Sequence, residues 1–142
     1  MRNQVFTLLA GAAFVLATTM SNTTQAQTAK PAGKVYELRT YHCFDGKLEN
    51  LKARFRDHTI EIFARHHMKS IAYWVPQDGA AASNTLIYVL EHPSREEGEK
   101  NWKEFSADAE WMKFRTASEE GGKIVEKVDR LWMTATEFSP MK

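Results

Sequence analysis

His58 and the run Glu37-x-Arg39-x-Tyr41 carry the residue types in this chain best suited to chemistry. His58 lies one helical turn from both Phe55 and Ile62, so its ring sits at the edge of an apolar stripe. From there it reaches the space expected between helix and sheet. A half-buried imidazole exchanges protons near neutral pH, as general acid–base catalysis requires. The same position equally suits a core-edge histidine bonded to a neighbouring strand. Asp57 is not its partner within the helix, because successive helical residues point about 100° apart.

Glu37, Arg39 and Tyr41 share one strand face, opposite Leu38. That alternation sends Leu38 toward the helices and Arg39 away from them. In an enclosed space an arginine grips a carboxylate or phosphate through its planar fork. The alternative is an ion-pair network with Arg130 or Asp129 on the last strand. The candidate substrate-binding residues are Tyr36, Arg39, Tyr41 and Trp74, and the candidate catalytic residue is His58.

Histidines also occur at His42 beside Cys43, at His66-His67 and at His92. None forms an i,i+4 helical pair, and there is no Cys-x-x-Cys, so neither a metal site nor a cofactor is expected. A haem would need one axial histidine, a role open to His58. Trp74, Trp102, Trp111 and Trp132 are most simply core and interface, with a stacking platform for a flat ligand as the alternative.

The elements that position these residues follow from periodicity. Residues 35–41 alternate as a strand. Asp45-Gly46 marks a turn. Leu48, Leu51, Phe55, Thr59, Ile62 and His66 recur at steps of three and four, predicting a helix over about 47–66. Arg56, Asp57 and Glu61 fall off the stripe, and Glu61 with Arg65 forms an i,i+4 pair. A second strand is expected over 68–75, stopped by Pro76, and a loop over 77–84. Residues 85–91 are apolar at nearly every position, as in a central strand buried on both faces.

Ser94, with Glu97 three residues on, is a capping box that opens a second helical region. Trp102, Phe105 and Ala109 share its face. Asp108 can cap a second piece carrying Trp111, Met112 and Phe114. Gly121-Gly122 ends that piece, and residues 125–134 form the last strand. The order β-α-β-β-α-β predicts an α+β, ferredoxin-like fold: a four-stranded antiparallel sheet with both helices on one face. The other face needs a cover, and a second copy is the natural one.

Residues 1–26 read as a cleaved secretory signal. Arg2 and the amino terminus are positive, residues 5–20 carry no charge, and Thr24-Gln25-Ala26 offers small residues for cleavage. The apolar run is short of the roughly 20 residues a spanning helix needs. Residues 27–33 form a flexible lead-in, and residues 34–142 one small domain. A periplasmic or secreted protein is expected, with no stable membrane insertion after processing. Without Arg2, 18 of the 19 basic residues remain against 18 acidic ones. That balance argues against a nucleic-acid partner. Cys43 is the lone cysteine, so no intrachain disulfide forms, and a buried, inert thiol is expected.

Several segments together resemble the NIPSNAP family. They are Tyr36-Glu37-Leu38-Arg39-Thr40-Tyr41, Gly46-Lys47-Leu48, Phe55-Arg56-Asp57-His58-Thr59, His66-x-Met68 and Tyr73-Trp74-Val75-Pro76. Asn84-Thr85-Leu86-Ile87-Tyr88, Trp102-x-x-Phe105, Glu110-Trp111 and Thr136-x-Phe138-Ser139-Pro140 continue the match, which resembles the secreted bacterial branch. Two positions depart from the family: His67 stands where glycine is usual, and Ala109 where proline is usual. The resemblance implies a dimeric α+β barrel, with Arg39 and its neighbours inside it. It implies no agreed activity, since relatives of the fold include cofactor-free monooxygenases, isomerases, mutarotases and haem enzymes. The function expected is binding of a small, partly apolar molecule by a homodimer, in a pocket between helix and sheet. The alternatives are a cofactor-free monooxygenase or isomerase using His58, and a structural or protein-interaction module.

Overall fold

The structure is a computed structural model that describes residues 33–141; the expected signal and most of the lead-in lie outside the described residues. Strands β1 (Val35–Cys43), β2 (Lys69–Trp74), β3 (Thr85–His92) and β4 (Val125–Thr134) form one sheet in the order β2-β3-β1-β4. Each pairing is antiparallel. Helices α1 (Leu48–Arg54), α2 (Ile60–Arg65), α4 (Arg95–Ala107) and α5 (Ala109–Ser118) accompany them, with a one-turn α3 (Ala81–Asn84) inside the expected loop. This is the anticipated α+β ferredoxin-like arrangement.

The first helix is continuous in position but not in type. Between α1 and α2, Phe55–Thr59 forms a π-helical turn in which Ile60 N–H bonds the Phe55 carbonyl. The Thr59 hydroxyl donates to the Arg54 carbonyl at 3.1 Å, satisfying an acceptor that the wider turn releases. Leu48, Leu51, Phe55, Thr59 and Ile62 are buried as their spacing predicts, and so are Arg54 and Phe63. Arg65 does not pair with Glu61; it reaches Glu110 at 2.6 Å and Asp108 at 3.4 Å, tying the first helical unit to α5.

The caps follow the sequence. Ser94 Oγ accepts from Glu97 N–H, and Asp108 Oδ1 accepts from Glu110 and Trp111 N–H. Asp108 also meets His66 at 2.9 Å. These bonds lower the Asp108 carboxyl from 3.8 to about 2, the Trp111 N–H first among them and the His66 ring next. Gly98 lets α4 settle onto the sheet: a Cβ there would lie 2.5 Å from the Trp132 ring and 2.9 Å from His92. The breakpoint between α4 and α5 survives without the family's proline, because the Asp108 cap makes it.

Strand parity is where the sequence expectation reverses. Glu37 is opposite Leu90, Arg39 opposite Tyr88 and Tyr41 opposite Leu86, and these β3 partners belong to the core beneath the helices. Tyr41 packs edge-on to Phe55 at 5.9 Å, and Arg39 lies over Trp102 of α4. Glu37, Arg39 and Tyr41 therefore face the helices, while Tyr36, Leu38 and Thr40 face away. The physical reason is that Glu37 and Arg39 neutralise each other inside, so charge does not force them outward. The partners anticipated on β4 for Glu37 and Arg39 are engaged elsewhere or exposed. Asp129 meets His42 and Lys127, and Arg130 is exposed.

Candidate functional site

Between the helices and the sheet lies a cavity of about 480 Å³. That is within the range of small-molecule sites, roughly 300–1,000 Å³. The sheet contributes Arg39 and Tyr41 from β1 and Val125 and Val128 from β4. The first helical unit contributes Arg54, Phe55, Thr59 and Phe63, and α4 and α5 contribute Trp102, Phe105 and Trp111. The π turn matters here, because it holds Arg54, Phe55 and Thr59 on the inward side together.

The chemistry centres on a buried polar chain. Glu37 is fully enclosed. Its Oε1 accepts from Arg39 Nε at 2.8 Å, and its Oε2 accepts from Trp102 Nε1 at 2.5 Å and meets His92 Nε2 at 3.2 Å. Burial alone would raise the carboxyl, yet the His92 bond, the Arg39 charge and the Trp102 N–H carry it below its ordinary value. Burial opposes the Arg39 charge as well, but Tyr41, Tyr88 and Glu37 hold the guanidinium more firmly protonated than usual. Its carbon lies 3.5 Å from the Trp102 ring centroid. Glu37 thus fixes two walls of the cavity, the guanidinium and the indole stacked on it.

Only Arg39 Nε has a protein acceptor among the described residues; its two terminal nitrogens have none. Arg54 is a second interior cation, its side chain 4 % exposed. Arg54 Nη1 reaches Ser118 and Glu119 at 3.2 Å each, while its Nε is buried without a partner. The cavity therefore presents a planar aromatic lining and unspent guanidinium N–H groups.

The five anticipated site residues do not come together. Arg39 and Tyr41 line the cavity. Tyr36 and Trp74 line a separate hollow on the opposite sheet face, with Ile71, Val89, Met133 and the C-terminal Met141. His58 lies outside both. Its ring stacks on Phe114 of α5 at 3.5 Å and 8°, in an outer groove of about 240 Å³. The expected pocket between helix and sheet exists, but the strand set builds it and His58 does not. Glu37, Arg54 and Trp102 complete it. Arg54 carried a readable signal: it follows Leu51 by three residues on the edge of the apolar stripe, where a charge is out of place. Cys43 is buried as expected, and burial pushes its thiol up.

Comparison with solved structures returns the same architecture. A NIPSNAP family protein of unknown function from Agrobacterium tumefaciens aligns at a TM-score of 0.67 and 22% identity, over 78% of this chain and 95% of that one. A NIPSNAP-like domain protein from Burkholderia xenovorans aligns at 0.65 and 16%, over 75% and 89%. SnoaB, a cofactor-independent oxygenase from Streptomyces nogalater, aligns at 0.51 and 13%, over 77% and 99%. At these identities the likeness establishes the fold alone. No curated protein matches. The sequence pattern of the NIPSNAP family matches residues 36–140, spanning every strand and helix described above, and the chain belongs to that family.

Proposed function

We propose that this protein binds a small, partly apolar molecule in the cavity between helices and sheet, as an exported homodimer. The observation that carries the binding is the arrangement of Arg39. It is interior, oriented by Glu37 and stacked on Trp102, yet its terminal nitrogens have no protein acceptor. Arg39 lines the cavity, so a ligand that accepts from these nitrogens gains charge-assisted hydrogen bonds. The cavity also counts against a purely structural module, for which a filled core would be expected.

The homodimer rests on the opposite face of the sheet. Leu131 and Trp74 are half-exposed there, with Leu38 and Ile87 beside them, while the residues after β4, among them Thr136, Ser139 and Met141, share a hollow with the buried Tyr36 and Val89. A second copy is the occupant whose face is complementary by symmetry. Export, to the periplasm or beyond, rests on the signal-like residues 1–26.

The enzymatic alternative, an oxygenase or isomerase, loses the group proposed for it. His58 stacks on Phe114 outside the cavity, and the histidine nearest the polar chain is His92, buried behind Glu37. Native mass spectrometry of the untagged, exported protein tests the whole reading. The expected species is a dimer of chains beginning near Gln27, retaining a small molecule. A monomer at micromolar concentration would overturn the dimer. Ligand retention abolished by His58→Ala but untouched by Arg39→Ala would move the site out of this cavity.

A further inference from the structure

We propose that the cavity selects a planar aromatic carboxylate, its carboxylate held jointly by Arg39 and Arg54 and its ring seated among the aromatic walls. This rests on the binding function proposed above and names the ligand's chemical class. Charge is the first argument. The lining holds Arg39, Arg54, Arg115 and Lys123 against Glu119 and Glu126, with Lys127 spent on Asp129. Glu119 is already spent on Arg54 and Arg115. Glu37 balances Arg39 in charge but meets only its Nε. The remaining excess is positive, and it favours an anion.

Donor geometry is the second argument. Two interior guanidinium groups line one cavity, and each has N–H capacity that the protein leaves unused. For Arg54 this is Nη2, for Arg39 both terminal nitrogens. A guanidinium fork matches the two coplanar oxygens of a carboxylate. The walls supply the third argument. Tyr41, Phe55, Phe63, Trp102, Phe105 and Trp111 all line the space, so the body of the ligand meets ring faces and edges rather than polar groups. Such walls reward a flat apolar body and penalise a dianion, whose second charge would be desolvated against carbon. A singly charged aryl acid satisfies all three conditions, and inorganic phosphate fails the last.

The test compares 2-naphthoate with its neutral amide, 2-naphthamide, and with inorganic phosphate. It uses calorimetry and tryptophan fluorescence on the mature dimer. The expected result is saturable binding of naphthoate about tenfold or more tighter than naphthamide, as charged hydrogen bonds of ordinary strength would give. Phosphate alone should bind far more weakly. In Arg39→Gln and in Arg54→Gln the gap between the two aromatic probes should narrow while naphthamide binds as before, which also reports that each variant is folded. Equal affinity of naphthoate and naphthamide for the native protein would overturn the carboxylate class and leave the cavity's binding role standing. Binding of neither would overturn both. Phosphate binding as tightly as naphthoate would overturn the aromatic part. Because the native protein alone decides these outcomes, a variant that fails to fold does not rescue the proposal.

Discussion

On one face of the sheet, Glu37, Arg39 and Tyr41 lie beneath the helices. On the other, Leu131 and Trp74 are half-exposed beside Leu38, and the residues after β4 reach only the Tyr36 end. The covered face encloses an ion pair, whereas the open face is apolar at its centre and carries its charges toward the strand ends, as Lys69–Glu91 and Lys127–Asp129. The difference teaches that each face is finished by something other than its own helices. The covered face encloses charge because Glu37, Arg39, His92 and Trp102 satisfy one another around a cavity. The open face tolerates carbon because a second sheet is expected to cover it. On the proposed reading, the region that looks like a poor core is the site and the one that looks like a good core is the interface.

The largest expected effect comes from placing a charge on the open face. Leu131→Asp should convert the dimer to monomer at micromolar concentration, measured by light scattering. Two-fold symmetry brings two unpaired carboxylates into the interface, each costing several kcal/mol to desolvate. The lost contact should bury at least about 1,000 Å². Helical circular dichroism should remain, because the covered face is untouched. An unchanged dimer would break the contrast between the faces.

Next in size is the removal of Glu37, which tests the covered face from within. Glu37→Ala leaves Arg39, His92 and the Trp102 N–H without their common acceptor. It should cost about 3–5 kcal/mol in urea unfolding, the penalty for stranding a buried charge. Glu37→Gln should cost less, since the amide oxygen still accepts from Trp102. The pH dependence has a definite sign. The folded carboxyl lies below its ordinary value of 4.5, so its contribution is present above that value and is lost as the pH falls through the depressed one. A loss under about 1 kcal/mol would mean that the polar chain is ornamental.

How much of this was legible follows the range of the interactions involved. The element order and the bounds of β4 came from period-two runs and turn residues, and the Ser94 and Asp108 caps from motifs spanning three residues. Such signals are local. The face of β1 was not legible, because tyrosine stands on both faces (Tyr36 and Tyr41), and Glu37 and Arg39 looked polar enough for an outward or barrel-facing side. What keeps them inward is His92 and Trp102, 55 and 65 residues away. The displacement of His58 has a different cause. An α-helical wheel places it beside Phe55 and Ile62, but the π turn changes the angular step through that stretch, and the ring finds Phe114 instead.

A smaller effect is expected at the seam that holds the helices over the covered face. Asp108→Ala removes the α5 cap and the contacts to His66 and Arg65, and should cost about 1–2 kcal/mol. Asp108→Asn keeps the cap and should recover most of that loss. With its carboxyl lowered to about 2, the charge-dependent part persists above the ordinary value of 3.8 and fades as the pH falls toward 2. An Asp108→Asn variant as unstable as Asp108→Ala would assign the seam to the charge rather than to the cap.

The smallest effect is expected at His67, where the covered layer passes into β2. His67 has φ of 56°, the one positive value outside glycine among the described residues. His67 N–H bonds the Ala64 carbonyl and Met68 N–H bonds the Phe63 carbonyl, the paired bonds of a Schellman ending. Phe63 and Met68 are both buried, so the turn delivers chain into the core beneath the helices. A side chain in this conformation costs roughly 1–2 kcal/mol, and glycine avoids that cost but loses about 0.5–1 kcal/mol through its freer unfolded chain. The two terms leave His67→Gly neutral or stabilised by up to about 1 kcal/mol. His67→Val should destabilise, since a branched side chain tolerates the left-handed region worst. Thermal unfolding of the three proteins decides it. Equal midpoints would show that the turn relaxes freely, and that the helical layer over the site is held by its caps and packing alone.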